Sequence, residues 1–258
     1  MQPGLYTFWR VCMSGHNKWS SIKHKKGAAD AKRGKIFTKI IKEITVAAKI
    51  GGGDPAANPR LRAAIERARA VNMPGDTMER GIKKGTGELE GVHYEEMVYE
   101  GYGPEGVAII LDIMTDNKNR TAAEIRQILS KKGGSLGSSN CVGWMFEKKG
   151  IINIAADASD EDSLMELVLE AGAEDVSVEG EGFEVVTPPD AFSDVMAALE
   201  KVEIKTENAE VTRVQTSGEP IRIDDPDKAQ KVMDLLEDLD DHDEVSGLAT
   251  NFDFSSIQ

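Results

Sequence analysis

Cysteine is scarce: Cys12 and Cys141 are the only two, far apart and without a CxxC pair. That excludes a disulfide framework and a cysteine-based zinc site, and it fits a reducing compartment. No run of about 18 apolar residues exists, so no transmembrane helix is expected. The opening MQPGLYTFWRVC is apolar but short, and it lacks a basic n-region and a small-residue cleavage site, which argues against a signal peptide. Met13 opens a much more polar stretch, so residues 1–12 read as an extension, either an over-long gene start or a disordered leader. The motifs of hydrolases, metalloproteases, dinucleotide enzymes and nucleotide-binding loops (GxSxG, HExxH, GxGxxG, Walker A) are missing. The glycine triplet Gly51–Gly53 lacks the GK[ST] that a P-loop requires. Carboxylates are scattered over helix surfaces rather than paired, so no enzyme, cofactor or metal is expected. The acid run LLEDLDDHDE at 235–244 lacks the DxDxDG order of an EF-hand and reads as a solvated helix face.

Charge is present in abundance and unevenly placed. The net charge of −14 would by itself argue against nucleic acid. Residues 1–84, however, hold 18 Lys+Arg against 6 Asp+Glu, a net of +12, and the remainder holds 13 against 39, a net of −26. Such asymmetry is the pattern of a nucleic-acid-binding module joined to an acidic body. The competing reading is that the basic part docks on the acidic part, which would hide most of its cations.

The basic part is organised around Gly27–Ile50. At helical spacing, Ile36, Phe37, Ile40, Ile41, Ile44, Ala47 and Ala48 fall on one side. Lys32, Lys35, Lys39, Lys42 and Lys49 gather on the other, within an arc of about 100°. Arg33 adds to this set. Upstream, SGHNKWSSIKHKK carries Lys18, Lys23, Lys25 and Lys26 around one aromatic, Trp19. An exposed indole among cations suits a base-stacking contact, and a core anchor is the equal alternative. Downstream, Asn58-Pro59 reads as an N-cap followed by proline at the first helical position. That second helix turns Leu61, Ala64, Ile65, Ala68 and Val71 inward, with Arg60/Arg67 and Arg62/Arg69 repeating along its flanks. Arginine suits bidentate phosphate contacts. Asn72-Met73-Pro74-Gly75 is a turn, and Asp76 is expected to cap a short helix that ends at Gly85 and carries Arg80, Lys83 and Lys84 outward. Residues 13–85 thus read as a three-helix module with cations on every element.

From about residue 86 the pattern changes to alternating and continuous apolar runs. Tyr94–Tyr102 and Gly106–Thr115 read as strands, and Thr121 to Glu124 as a capping box opening a helix closed by Gly133. A Gly/Ser loop, GGSLGSSN, has the composition to cradle a phosphate through backbone N–H groups, and it leads into a strand at CVGWMFEKKG. From Ile151 to Gln215 the order is β-α-β-β-α-β, the ferredoxin-like unit, with a Gly180-Glu181-Gly182 turn at its centre. A helix near 225–240 and a strand near 244–252 are too little to fold alone. The economical arrangement is an interrupted α+β domain, 86–149 plus 217–258, with a second ferredoxin-like α+β domain, 150–216, inserted in it.

The segments MSGHNKWSSIKHKKGAADAKRGKIFTK, GGGDPAANPRLRAAIERARAVNMP, ERGIKKG, YEGYGPEGVAIILDIMTDNKNRTAAEIR and the closing GLATNF resemble the YebC/PmpR family across nearly all of Met13–Phe252. One departure lies at Met73-Pro74-Gly75-Asp76, where the family usually places a lysine before the acid. The resemblance implies a three-domain protein, an N-terminal helical domain followed by two α+β domains, one inserted in the other. It also implies a cytoplasmic gene-expression factor that contacts nucleic acid. Family members are described as DNA-binding transcriptional regulators, and relatives as translational activators linked to ribosomes. Two nucleic-acid readings follow. In the first, a ribosome-associated translation factor binds rRNA through the basic module, with Asn72, Met73 and Pro74 as a tip, and its acidic domains meet basic ribosomal proteins. In the second, a transcriptional regulator lays the Arg60–Arg69 helix on duplex DNA. A protein-interaction scaffold with an incidental basic face is the third reading. No membrane partner is implied.

Overall fold

The computed structural model describes residues 29–179 and 182–254. The extension, the segment around Trp19 and the expected turn at Gly180-Glu181 lie outside them. Among the described residues three helices come first: α1 (Ala29–Gly51), α2 (Pro59–Ala70) and α3 (Gly75–Thr86). Their apolar stripes meet in one small core of Ile44, Ala47, Ala48, Leu61, Ala64, Ile65, Ala68 and Met73. Asn58 joins two of the helices. Its Oδ1 accepts from Leu61 N at 3.0 Å and caps α2, while its Nδ2 donates to Ala47 O at 2.8 Å and Gly52 O at 2.9 Å, satisfying carbonyls at the end of α1. Because three bonds of a buried side chain disappear together, Asn58→Ala should cost about 2–3 kcal/mol and lower the denaturation midpoint measurably.

Two helix boundaries differ from expectation. Asp76 does not cap α3, because the helix begins two residues earlier than that cap would allow, behind Pro74, which has extended backbone and offers no side-chain bond. Nor does Gly85 end it. That role falls to Gly87, at φ 83°, while Gly85 lies against α1, where a Cβ would sit 2.3 Å from Thr45 O. Gly85 therefore sets how closely α1 and α3 approach.

The rest of the chain forms two four-stranded antiparallel sheets. The first contains β1 (Glu95–Tyr102), β2 (Ala108–Thr115), β3 (Ser135–Leu136) and β8 (Val245–Thr250), in the order β3-β1-β2-β8. Helices α4 (Lys118–Lys131) and α7 (Pro226–Asp240) cover one face, over a core that includes Ile109, Leu111, Ile113, Ile125, Leu129, Val232, Leu236, Leu239, Leu248 and Phe252. The second sheet contains β4 (Phe146–Ala155), β5 (Asp175–Glu179), β6 (Gly182–Thr187) and β7 (Thr206–Gln215), ordered β5-β6-β4-β7. Helices α5 (Glu161–Glu170) and α6 (Phe192–Lys201) pack on it around Ile152, Leu164, Val185, Val195 and Leu199. The fold is α+β, with the helical part first. Among the described residues no helix is long and apolar enough to cross a membrane.

Three local readings are corrected. Helix α4 starts at Asn117, whose Oδ1 accepts from Arg120 N, so Thr121 is not a cap; it is buried and bonded to Thr115 Oγ1 at 2.8 Å. The expected strand at CVGWMFEKKG is divided: Gly143–Met145 is a short turn, and from Phe146 onward the chain belongs to β4, paired with β7 from Phe146↔Gln215. The Gly/Ser loop supplies β3, and backbone N–H groups at its end are already taken. Glu100, 9 % exposed, accepts from Asn140 N at 2.7 Å, Val142 N at 2.9 Å and Gly143 N at 2.7 Å. A carboxylate of the chain itself thus holds the C-terminal end of the loop read as a phosphate cradle and the residues just after it.

Candidate nucleic-acid interface

The expected cations fall into three groups. Lys18, Trp19, Lys23, Lys25 and Lys26 lie outside the described residues, and so do the side chains of Lys32 and Arg33. The second group is engaged within the molecule. Lys35 Nζ donates to Asp241 O at 3.1 Å and lies 3.5 Å from the Asp241 carboxylate. Lys39 Nζ donates to Asp240 O. Lys42, only 6 % exposed, donates to Asp243 O at 2.9 Å and pairs with Glu244 at 3.1 Å. Three lysines spaced i, i+4 and i+7 therefore sit on the C-terminal end of α7, where carbonyls are unpaired and the helix dipole is negative. The expectation that this stripe faces solvent is corrected here, and the acid run 235–244 is not simply a solvated face. The cause is long-range pairing between residues about 200 positions apart, which no local pattern announces.

Arg60 belongs to the same group. Its guanidinium holds Glu43 at 2.8 Å and Glu96 at 2.6 Å, bridging α1 and β1. The hydrogen bond to Glu96 outweighs burial, and Glu43 adds to it, so the guanidinium is raised above its ordinary value, while Arg60 in turn holds Glu96 below the usual carboxylate range. Arg67 lies 3.9 Å from Glu43. Lys83 pairs with Glu79 at 2.6 Å one turn away on α3, and that exposed contact raises the ammonium and lowers the carboxyl. Met73 is 5 % exposed and part of the helical core, so it is not a tip residue. Asn72, at φ 58°, makes the left-handed turn after α2 and is exposed with Pro74.

The third group is free to meet a ligand. Arg62 and Arg69 are exposed seven residues apart on one flank of α2, and Arg80 and Lys84 are exposed four apart on α3. Arg62 Nη1 donates weakly to Pro55 O at 3.4 Å. Among the described residues none of the four has an acidic partner. Guanidinium and ammonium groups placed this way offer phosphate oxygens charge-assisted hydrogen bonds from two adjacent helices.

Residues 17–88 match the family model for the TACO1/YebC protein N-terminal domain, and residues 94–252 match that for the TACO1/YebC second and third domain. This chain belongs to the TACO1/YebC family. A relative from Desulfatibacillum aliphaticivorans is 58% identical over 246 residues, covering 93% of this chain and 96% of its own; one from Geobacter sulfurreducens is 57% identical over 244, covering 95% and 97%. Both carry the name "Probable transcriptional regulatory protein". A crystal structure of a conserved hypothetical protein from Aquifex aeolicus is 46% identical, covers 92% of this chain and 96% of its own, and superposes with a TM-score of 0.81. The TACO1/YebC N-terminal domain thus coincides with the three-helix module that carries the free cations.

Proposed function

We propose that this protein is a cytoplasmic nucleic-acid-binding factor that regulates gene expression, gripping phosphate backbone with the outer flanks of α2 and α3. The observation that carries the reading is the charge placement: Arg62, Arg69, Arg80 and Lys84 are exposed without an acidic partner among the described residues, while everything after residue 84 sums to −26. The acidic sheets are repelled by phosphate and attracted to cationic protein, so only the module engages the strand. Ribosomal RNA lying beside basic ribosomal proteins meets both demands, which makes a translation factor the first reading. The names of the relatives favour a second, transcriptional regulation through DNA. The exposed cations of α2 and α3 suit phosphate contacts, and their arginines could also reach base edges, so what favours the first reading is the acidic body, which is attracted to cationic protein.

Ultraviolet cross-linking in cells, with sequencing of both the RNA and the DNA recovered, separates the two. Ribosomal RNA fragments clustered at one site are the expected result. Discrete promoter DNA, with ribosomal RNA at background, would establish the regulator instead.

A further inference from the structure

The end of α7 and the segment after it present the α1 lysines with what a nucleic-acid strand would present: a row of oxygens with negative character. Asp240 O, Asp241 O and Asp243 O receive Lys39, Lys35 and Lys42 in turn, and the carboxylates of Asp241 and Glu244 stand beside them. Asp238 continues the acidic edge and pairs with Lys132 at 3.1 Å. We propose that residues 238–244 act as an internal phosphate mimic, holding the α1 stripe in a closed state and releasing it when a nucleic-acid strand competes. This rests on the nucleic-acid reading above and adds a regulated second half to the binding surface.

Three features make the contact a latch rather than a piece of core. The helical module and the first sheet have separate apolar cores, and on the α1 face that carries the three lysines Val46 is a buried apolar side chain belonging to neither. The joints between the two, at Lys35, Lys39, Lys42 and the Arg60 bridge from Glu43 to Glu96, are ionic or charge-assisted. One connection, residues 87–94, joins the two parts, and it has neither helix nor strand and is exposed for most of its length. The contact is also graded. Lys35 and Asp241 at the rim are each about half exposed (47% and 45% of the side chain), whereas Lys42 is buried beneath them and bonds Asp243 and Glu244. Competition can therefore start at the rim, where solvent and salt reach, and continue inward. While closed, the acids of 238–244 also repel an approaching phosphate, so opening changes both access and the local field. An exchange of one set of ammonium–oxygen contacts for another is nearly balanced, which is what a switch requires.

The test fixes the latch shut in the full-length protein. With Cys12 and Cys141 replaced by serine, Lys35→Cys and Asp241→Cys place two thiols at the exposed rim, and a short bis-maleimide links them. Binding of a labelled single-stranded RNA, and of a duplex DNA of equal length, is compared with the same protein capped by a monofunctional maleimide. The expected result is affinity reduced about tenfold or more by the link and not by the caps, because linking removes the open fraction. Equal affinity would overturn the latch and leave the nucleic-acid reading standing. Failure of the unmodified protein to bind either probe would overturn both. A second variant checks the mimic without a link: Asp238→Asn/Asp241→Asn/Glu244→Gln should bind more tightly than Asp157→Asn/Glu161→Gln/Asp162→Asn, which removes the same charge from the second sheet domain. Equal gains would reduce the effect to net charge and sink the proposal.

Discussion

Replacing Arg62, Arg69, Arg80 and Lys84 together by alanine should weaken nucleic-acid binding about 100-fold or more at physiological salt, with each lost phosphate contact worth roughly 0.7–1 kcal/mol. The salt dependence is the sharper readout. Every neutralised phosphate releases counterions, so the slope of log affinity against log salt should become shallower by about 0.9 per contact on duplex DNA, or about 0.7 on a single strand. Folding stability should hardly change, because all four side chains are exposed and none is bonded to an acid among the described residues. Isothermal binding across a salt series, with thermal denaturation in parallel, reads both quantities. Unchanged affinity and slope would move the phosphate contacts to another part of the chain.

Glu100→Ala should be among the most destabilising single substitutions. The carboxylate accepts three backbone N–H groups from the loop at 140–143, and alanine leaves those donors without their partner. At about 1–3 kcal/mol for each donor left unpaired, discounted for the water that reaches the exposed Asn140, the loss should be roughly 3 kcal/mol. Burial pushes the Glu100 carboxyl upward, but the bonds from Val142, Asn140 and Gly143 prevail and hold it below its ordinary value. For a carboxyl depressed in the folded state, the contribution to stability is complete above the unfolded value and disappears as pH falls through the folded one. Urea titrations at neutral and acidic pH should therefore show the gap between wild type and Glu100→Ala narrowing as pH drops below the usual carboxylate range. A gap that stays constant would mean the loop is held by something other than this charge.

What the residue pattern disclosed and what it hid divide along the range of the interactions. The Asn58-Pro59 start of α2, the Gly133 stop of α4 and the β-α-β-β-α-β order from Ile151 to Gln215 are consequences of local chemistry, and each is visible within a few residues. Near misses came where two local devices compete. Asn117 and Thr121 are both able to start α4, and Asn117 takes the role while the buried Thr121 hydroxyl bonds Thr115 and Asn117 O. Met73 shows a different limit: its position in a turn suggests exposure, yet the left-handed Asn72 folds the chain back so that the side chain enters the helical core. That Lys35, Lys39 and Lys42 dock on the acidic part is the competing reading of the charge split, but their partners are illegible for a stronger reason. Periodicity tells that a stripe exists but not what lies opposite it, and here the opposite surface arrives about 200 residues later.

That separation also orders events in time. The central strand β2 pairs on one side with β1, its immediate predecessor, and on the other with β8, Ile110 facing Ala249. The second sheet, with its own core, is complete by residue 215, but the first sheet stays one strand short until β8, Val245–Thr250, is made. Chains emerge from synthesis N-terminus first, and local units fold as they appear. Until α7 is made, then, the protein carries the basic helices α1 to α3, whose α1 lysines have no carbonyls of α7 to hold. A nascent chain halted before residue 240 leaves Lys35, Lys39 and Lys42 open to whatever polyanion is nearest, and only a chain that has reached residues 240–244 can cover them.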